Sequence, residues 1–368
     1  MTSKMTYAGV GVDYEAMDPF KRLAQMTARE TAKTILRLGF SEVEMSRGES
    51  AYLVDAGDHY IAHVVEGLGT KNLVADVMYR LTGRTYYDHI AQCTVAMIVN
   101  DMITLGALPL SVGMHLAVGS SDWFNDEKRC FDLIDGWKKA CELARCTWGG
   151  GETPTLKDII HPEAVVLSGS AVGVVKPKSR LISGASIRHG DVIVLLGSSG
   201  IHANGLTLAR EIAKRLPEGF LTKLSDGRFY GEALLDPTVI YVPVVEDCFK
   251  EGVDLHYAVN ITGHGWRKLM RPPQPFSYII EQIPVPHPVF SFIKEQGPVD
   301  DKEAYGTLNM GAGFALYISE RDVEKTLVIA KRLGISTLRA GWIESSQERR
   351  VVIKPLGLEY LGSTLGIR

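Results

Sequence analysis

At 368 residues the chain is too long for one comfortable hydrophobic core and predicts two domains. Its 45% hydrophobic and 23% charged residues are those of an ordinary globular protein, and a net charge of −3 provides no general field for a polyanion, which argues against a nucleic-acid partner. The five cysteines show no CxxC pair and read as reduced packing thiols. With no apolar core in MTSKMTYAGVG and no run approaching the roughly 18 apolar residues of a membrane span, a cytoplasmic location and no membrane partner are expected.

Residues 1–20 read as extended. A helix is expected from residue 18 or 19 to Leu38, with Phe20, Leu23, Ile35 and Leu38 near one face and Gly39 as its stop. Tyr60 to Val65 has a strand pattern and runs into Glu66-Gly67-Leu68-Gly69-Thr70-Lys71. Two glycines there allow a tight turn that presents Glu66 and Lys71 to a ligand, although the GxxxxGK[ST] spacing of a P-loop is absent. His89 to Leu105 is apolar around most of a helix, and Asn100 and Asp101 interrupt it. A carboxylate in such a segment needs a cation, an ion pair or hydrogen bonds; a capping role is the plainer alternative.

Leu110 to Val118 predicts a strand. Residues 125–144 predict a helix burying Phe131, Ile134, Cys141 and Ala144, with Trp137 as core packing along its edge. The run Trp148-Gly-Gly-Gly-Glu-Thr-Pro154 suits a metal or phosphate site and equally a tight loop. Val165 to Val175 is a long strand whose small residues expect close approach of another backbone. Lys176 to Ser179 is the expected boundary between domains 1–176 and 177–368.

Asp191 to Arg210 combines a β-branched strand, the polar turn GSSGIHANG and a helical rhythm. It reads either as an anion cradle, with glycines and a helix start facing the ligand, or as an ordinary strand-to-helix turn. Beyond it, Pro237–Phe249 predicts a helix. Asn260, Thr262 and His264 precede a further helix, Tyr278–Ile283 and Phe314–Ile318 predict strands, and the helix of Val323 to Leu333 stops at Gly334. Strands and helices mix in both halves without βαβ regularity, which argues for two α+β domains.

In order, several of these pieces resemble the aminoimidazole ribonucleotide synthetase (phosphoribosylformylglycinamidine cyclo-ligase) family. They are Ala8-Gly-Val-Gly-Val-Asp13, Gly69-Thr-Lys71, Asn100-Asp101, Gly106-Ala-Leu-Pro109, Gly150-Gly-Glu-Thr153, Gly197 to Gly205, Pro237 to Tyr241, Ile261-Thr-Gly263, Asn309-Met-Gly311 and Gln347 to Ile353. The resemblance implies a two-domain PurM-like fold, with amino-terminal domains paired into a dimeric β-barrel and a carboxy-terminal α/β sandwich. It also implies a homodimer using ATP and Mg²⁺ to phosphorylate the amide oxygen of formylglycinamidine ribonucleotide, a small nucleotide substrate, and close the imidazole ring in purine biosynthesis.

Carried onto this sequence, the resemblance makes Glu66, Asp101 and Glu152 the metal-side acids. Lys71, Asp101, His202 and His264 become catalytic. Gly69, Thr70, Asn100, Thr153, Ser198, Ser199, Asn204, Asn260, Thr262 and Asn309 become contacts to ATP or substrate. Four departures stand out: Glu66 where aspartate is usual, Thr155 where glutamate is usual, Asn260 in place of histidine, and His264 in place of glycine. The family's glycine-rich loop is also replaced by residues 39–48. Asn260 has no general-base chemistry near neutral pH, so His264 is its candidate substitute if it points inward, with a solvent-facing loop histidine as the alternative. The departures motivate one alternative, a paralogue acting on a different small substrate; a second, a catalytically silent nucleotide-binding or scaffold relative, is opposed by the retention of Lys71, Asp101, Glu152, His202 and Asn204. Other superfamily members fit less well: no cysteine precedes Cys93, the chain ends Leu365-Gly-Ile-Arg368 without a terminal cysteine, and no Gly-Asp-Asp motif lies near the first metal-binding strand.

Overall fold

The computed structural model describes residues 5–6, 8–11 and 14–365. Val12 and Asp13 of the first motif, and residues 366–368, lie outside the described residues. The amino-terminal half holds helices α1 (Tyr14–Arg29), α2 (Lys71–Thr82), α3 (Tyr87–Met102) and α4 (Glu127–Leu143). Its strands β1 (Ser41–Glu42), β2 (Tyr52–Asp55), β3 (Tyr60–Gly67), β4 (Leu108–Val118), β5 (Thr147–Glu152) and β6 (Val165–Val175) form one sheet in the order β1-β2-β3-β6-β4-β5. The alternation of buried and open residues along β6 gives the sheet an inner face under α3 and an outer face without helices. On the inner face Gly169 and Gly173 make room for Ile98 and Met102 of α3, which is the close approach that the small residues of this strand lead one to expect.

The carboxy-terminal half forms a second sheet, in the order β13-β12-β9-β11-β7-β10-β8. Its strands are β7 (Val192–Gly197), β8 (Leu255–Asn260), β9 (Phe276–Ile280), β10 (Ala312–Ile318), β11 (Thr337–Ser345), β12 (Arg350–Ile353) and β13 (Leu358–Leu361). Strands β7, β10 and β8 lie side by side at one end of this sheet and are buried nearly throughout, and β7 and β10 read as apolar runs. Helices α5 (Leu206–Ala213), α6 (Tyr230–Leu234), α7 (Val242–Lys250), α8 (Pro288–Gln296), α9 (Asp301–Thr307) and α10 (Val323–Arg332) complete this half. The molecule thus has two α+β domains, each built on its own sheet. Among the described residues no helix is long and apolar enough to cross a membrane.

Four local expectations are corrected. The first helix begins at Tyr14, inside the stretch expected to be extended, and ends at Arg29; a separate 3₁₀ segment, Ala32–Leu38, runs to Gly39. Its apolar side is not a core face, since Phe20, Leu23 and Leu38 are exposed. In α4 the buried stripe is turned, so that Leu133, Gly136, Trp137, Ala140 and Cys141 are buried while Phe131 and Ile134 are exposed. Gly136 sets that rotation, because the backbone of Asp88 occupies the place a side chain there would take. The helix expected from Pro237 starts only at Val242, and the strand expected at Tyr278–Ile283 is Phe276–Ile280.

The late start of α7 holds the two domains together. Residues 235–241 run unwound along α3, and side chains of α3 satisfy their backbone. Gln92 Nε2 donates to the Thr238 carbonyl at 3.0 Å, and the Thr238 N–H donates to Cys93 Sγ at 3.2 Å. His89 Nδ1 meets the Leu235 carbonyl at 2.9 Å. Asn100 closes the row: its Nδ2 donates to the Val239 carbonyl at 2.8 Å and its Oδ1 accepts from the Tyr241 N–H at 2.9 Å. Asn100 is therefore an interdomain pin and faces no open cleft. Asn100→Ala orphans two backbone groups at once and is expected to lower the free energy of unfolding by roughly 2–4 kcal/mol in urea titration. A change under about 0.5 kcal/mol would show that the pin is not needed.

Candidate active site at the domain junction

One residue beyond the pin, Asp101 emerges from the last turn of α3 beside the end of β3. The inner face of β3 carries Ala62, Val64 and Glu66, so Glu66 points under the sheet toward Asp101. Burial, and then the adjacent Asp101 carboxylate, push the Glu66 carboxyl up to about 7. Asp101 is held from the other domain, where Asn260 at the end of β8 donates from Nδ2 to its Oδ1 at 2.7 Å. Asn260, expected as a ligand contact, is thus the residue that orients Asp101.

The segment after β8 brings a cation to the same place. Trp266 is fully buried and donates from Nε1 to the Asn309 carbonyl at 2.8 Å, which fixes the 3₁₀ turn Gly265–Met270. Lys268 in this turn is 6% exposed and donates from Nζ to Thr262 Oγ1 at 2.7 Å. Desolvation lowers its ammonium to about 8, against the fields of Asp101, Glu66 and Glu49, which raise it. Arg271, one turn on, reaches residues 48–50, between β1 and β2. It donates from Nη2 to the Gly48 carbonyl at 2.7 Å and from Nη1 to Ser50 Oγ at 3.1 Å, with Nε 3.0 Å from Glu49. Sequence reading missed Lys268, Arg271 and Glu49. The signal available was three basic residues within five positions of a buried tryptophan, after a strand of apolar residues.

His264 caps this turn in the left-handed region, at φ 71°, and is buried. Burial, then Arg267 and Lys268, lower its imidazole to about 4, so it is neutral at physiological pH. A base that weak gives little driving force for proton abstraction near pH 7.

The GSSGIHANG turn is tied into its own domain. Ser198 Oγ donates to Asn309 Oδ1 at 3.0 Å, Ser199 Oγ donates to the Pro237 carbonyl at 2.5 Å, and Asn309 Nδ2 donates to the Gly200 carbonyl at 2.9 Å. His202 is buried beneath it, with Nε2 accepting from the Ser199 N–H at 3.2 Å. Burial, then Lys71 and His287, lower its imidazole to about 3. It is a neutral pin here, not an acid–base group. Lys71, expected beside phosphate, is fully buried and donates to the carbonyls of His202 at 2.8 Å and Asp236 at 2.6 Å. Its ammonium clamps α2 to the other domain. Thr70 and Gly69 sit at the exposed start of that helix, with Thr70 Oγ1 3.5 Å from Thr207 Oγ1; Asn204 is half-buried nearby in sequence.

Glu152 does not join the acid pair. It lies on edge strand β5 and pairs with His115, which pairs with Ser168 on the outer face of the sheet, whereas Glu66 is on the inner face. Three strand spacings, roughly 14 Å, separate β3 from β5. Glu152 and Thr153 are exposed. Glu152 lines an outer groove of about 460 Å³ with His63, His115 and Ser168. Among the described residues no three His, Cys, Asp or Glu side chains converge as a metal cage.

Two family models match the chain: AIR synthase related protein, N-terminal domain, over residues 48–175, and AIR synthase related protein, C-terminal domain, over residues 188–354. Among similar curated proteins, the phosphoribosylformylglycinamidine cyclo-ligase of Methanocaldococcus jannaschii is 34% identical over 94% of this chain and 93% of its own length. The protein of the same name from Methanococcoides burtonii is 36% identical over 87% and 91%. Among solved structures, a HypE–HypF complex matches with a TM-score of 0.58 at 16% identity, covering 85% of this chain and 92% of that one. Thermotoga maritima PurL complexed with ATP matches at 0.56 and 15% identity, covering 85% and 46%. At these identities the structures show a shared fold.

The acid pair has a measurable signature. A divalent cation entering between these carboxylates would have to displace the proton that Glu66 holds, so any Mn²⁺ affinity of the pair should rise about tenfold per pH unit up to about 7 and level off above it. The sign for stability is opposite. The folded metal-free chain holds a proton that an unfolded glutamate releases near 4.5, so this contribution is present at low pH and is lost as pH rises through about 7. Calorimetric Mn²⁺ titrations at pH 6 and 8 that gave equal affinities would contradict a raised Glu66 carboxyl at the cation's place, and Glu66→Gln should flatten both dependences.

Proposed function

The chain belongs to the AIR synthase related family, and from that premise we propose that it is an ATP-dependent cyclo-ligase converting formylglycinamidine ribonucleotide to aminoimidazole ribonucleotide in the cytoplasm. Identity running through both domains to proteins of that name carries the reading. The junction supports its chemistry. Glu66 and Asp101 press two carboxylates together, and such a pair fits Mg²⁺ that keeps waters and phosphate oxygens as its other ligands. A bound magnesium ion would supply charge neutralisation on the transferring phosphoryl group. The chain's own part is orientation. Asn260 fixes the Asp101 oxygen, the buried Trp266 fixes the turn that bears Lys268, and the row from His89 to Asn100 holds both walls in register. Asn204, Thr70, Gly69 and Thr262 are the proposed contacts to ATP or substrate around this junction.

A homodimer is part of the reading. The outer face of the first sheet leaves Val65, Val166 and Val172 open, with Leu110 exposed at its margin, and a second copy of the sheet would cover them. Glu152 lies on that face and would enter a site shared between subunits. Val172→Lys is expected to shift the sedimentation coefficient from dimer to monomer; an unchanged coefficient would remove this face from the interface.

Purified protein with ATP, Mg²⁺ and formylglycinamidine ribonucleotide should release ADP, phosphate and aminoimidazole ribonucleotide. Asp101→Ala should lower kcat at least about 100-fold at near-native stability. ADP release with another amide but none with this substrate would favour the paralogue that the substitutions at Glu66, Thr155, Asn260 and His264 motivate. No magnesium-dependent ATP turnover by folded dimer would favour the silent relative.

A further inference from the structure

The proposed chemistry needs a cation at the moving phosphoryl group, and the basic residues at the junction differ in what they have left to give. Lys71 is used on two carbonyls. Arg271 is used on a carbonyl, a hydroxyl and a carboxylate. Arg267 donates to the carbonyls of Gly306 at 2.9 Å and Thr364 at 2.9 Å, and spans α9 to the end of the described chain. All three tie one part of the chain to another.

Lys268 is the exception among them. It is more than nine-tenths buried, yet its ammonium makes one hydrogen bond, to a neutral threonine hydroxyl six residues back. Two further N–H donors have no acceptor among the described residues, and it forms no close ion pair there; Asp101 and Glu66 act on it through space. A buried ammonium left with one neutral partner is costly, by several kcal/mol in general, and sites retain such groups where a ligand supplies the missing acceptors. Its place is fixed on both sides, by Trp266 in the core and by Arg271 on residues 48–50. The acid pair lies in front of it.

Resting on the cyclo-ligase reading, we infer that Lys268 is a catalytic residue whose Nζ binds an oxygen of the phosphoryl group passing between the nucleotide and the amide, while Lys71 holds the domains together. Thr262 aims the ammonium. A divalent cation, if held by Glu66 and Asp101, would supply charge neutralisation there, and the Lys268 ammonium would remain for the ligand's own oxygens.

Three variants separate the roles. Lys268→Met should keep a native melting temperature or exceed it, since it removes a buried charge. It should lower kcat at least 100-fold and weaken a non-hydrolysable ATP analogue about tenfold in calorimetry. Lys268→Arg should recover part of kcat. Lys71→Met should instead lower the melting temperature. The inference is overturned if folded Lys268→Met keeps both kcat and analogue affinity within threefold of the unmodified protein. Should Lys268→Met fail to fold, acylation by acetic anhydride on the unmodified protein decides. The analogue must slow labelling at Lys268 and leave Lys71 unaffected; equal labelling of Lys268 with and without it overturns the assignment. If the unmodified protein does not convert formylglycinamidine ribonucleotide, the cyclo-ligase reading fails. Analogue affinity in the variants still decides the place of Lys268.

Discussion

The structure depends on an unwound stretch of backbone being satisfied by side chains from the other domain. Residues 235–241 carry peptide groups that neither a helix nor a strand engages, and buried peptide groups without partners are costly. Helix α3 supplies the partners from His89, Gln92, Cys93 and Asn100, on one side of the helix at spacings of about one turn or its multiples. Lys71 adds the carbonyl of Asp236. Separating the domains would leave several buried donors and acceptors unmet at the same moment. The interface is therefore specific in register, since sliding by one residue would unmatch the entire row.

That register is what makes a site. Asp101 follows the last pin directly, so whatever fixes Asn100 fixes the backbone that carries Asp101. Its oxygen is then within 2.7 Å of an amide from the second domain, and its field acts on Glu66 of β3. Two acids and a lysine, borne by α3, β3 and the turn after β8, are close together only because the two sheets meet at this edge. The proton that Glu66 holds up to about pH 7 and the partly satisfied ammonium are two signs of one condition: like and unlike charges are crowded together away from water.

Much of the architecture was legible in the sequence. The β-branched run of β7, the apolar run of β10 and the apolar breadth of α3 lie where the patterns place them. The amphipathic stripes misled where the pattern says that a face is apolar but not what covers it. Phe20, Leu23, Phe131 and Ile134 have helical spacing and are nevertheless exposed. Pro237 reads as a helix start, but the next residues are claimed by α3, a partner more than a hundred positions away, and no local propensity encodes that claim. For the site, Asp101 is conspicuous in the sequence as an acid in an apolar helix, and Glu66 as the acid that enters a glycine turn after a strand. The roles of Lys71 and His202 were not legible, because a motif conveys that a residue matters without conveying which way it points.

Orientation also gives Glu152 its interest. In one chain it cannot share an ion with Glu66, since the sheet itself stands between them. The outer face it occupies has a distinct relief: Gly113 and Gly150 keep its floor low, Ser168 and Ser170 keep it polar, and Val65 and Val172 give it an apolar border. An isolated sheet gains nothing from a low polar floor with an acid at its rim. Two such sheets facing each other would enclose the floor between them, with the acids near opposite edges, and covering the valines would favour the pairing through the hydrophobic effect. The edge strand's glycines then have a physical reason beyond turning a loop: they leave room for the second sheet to approach the first.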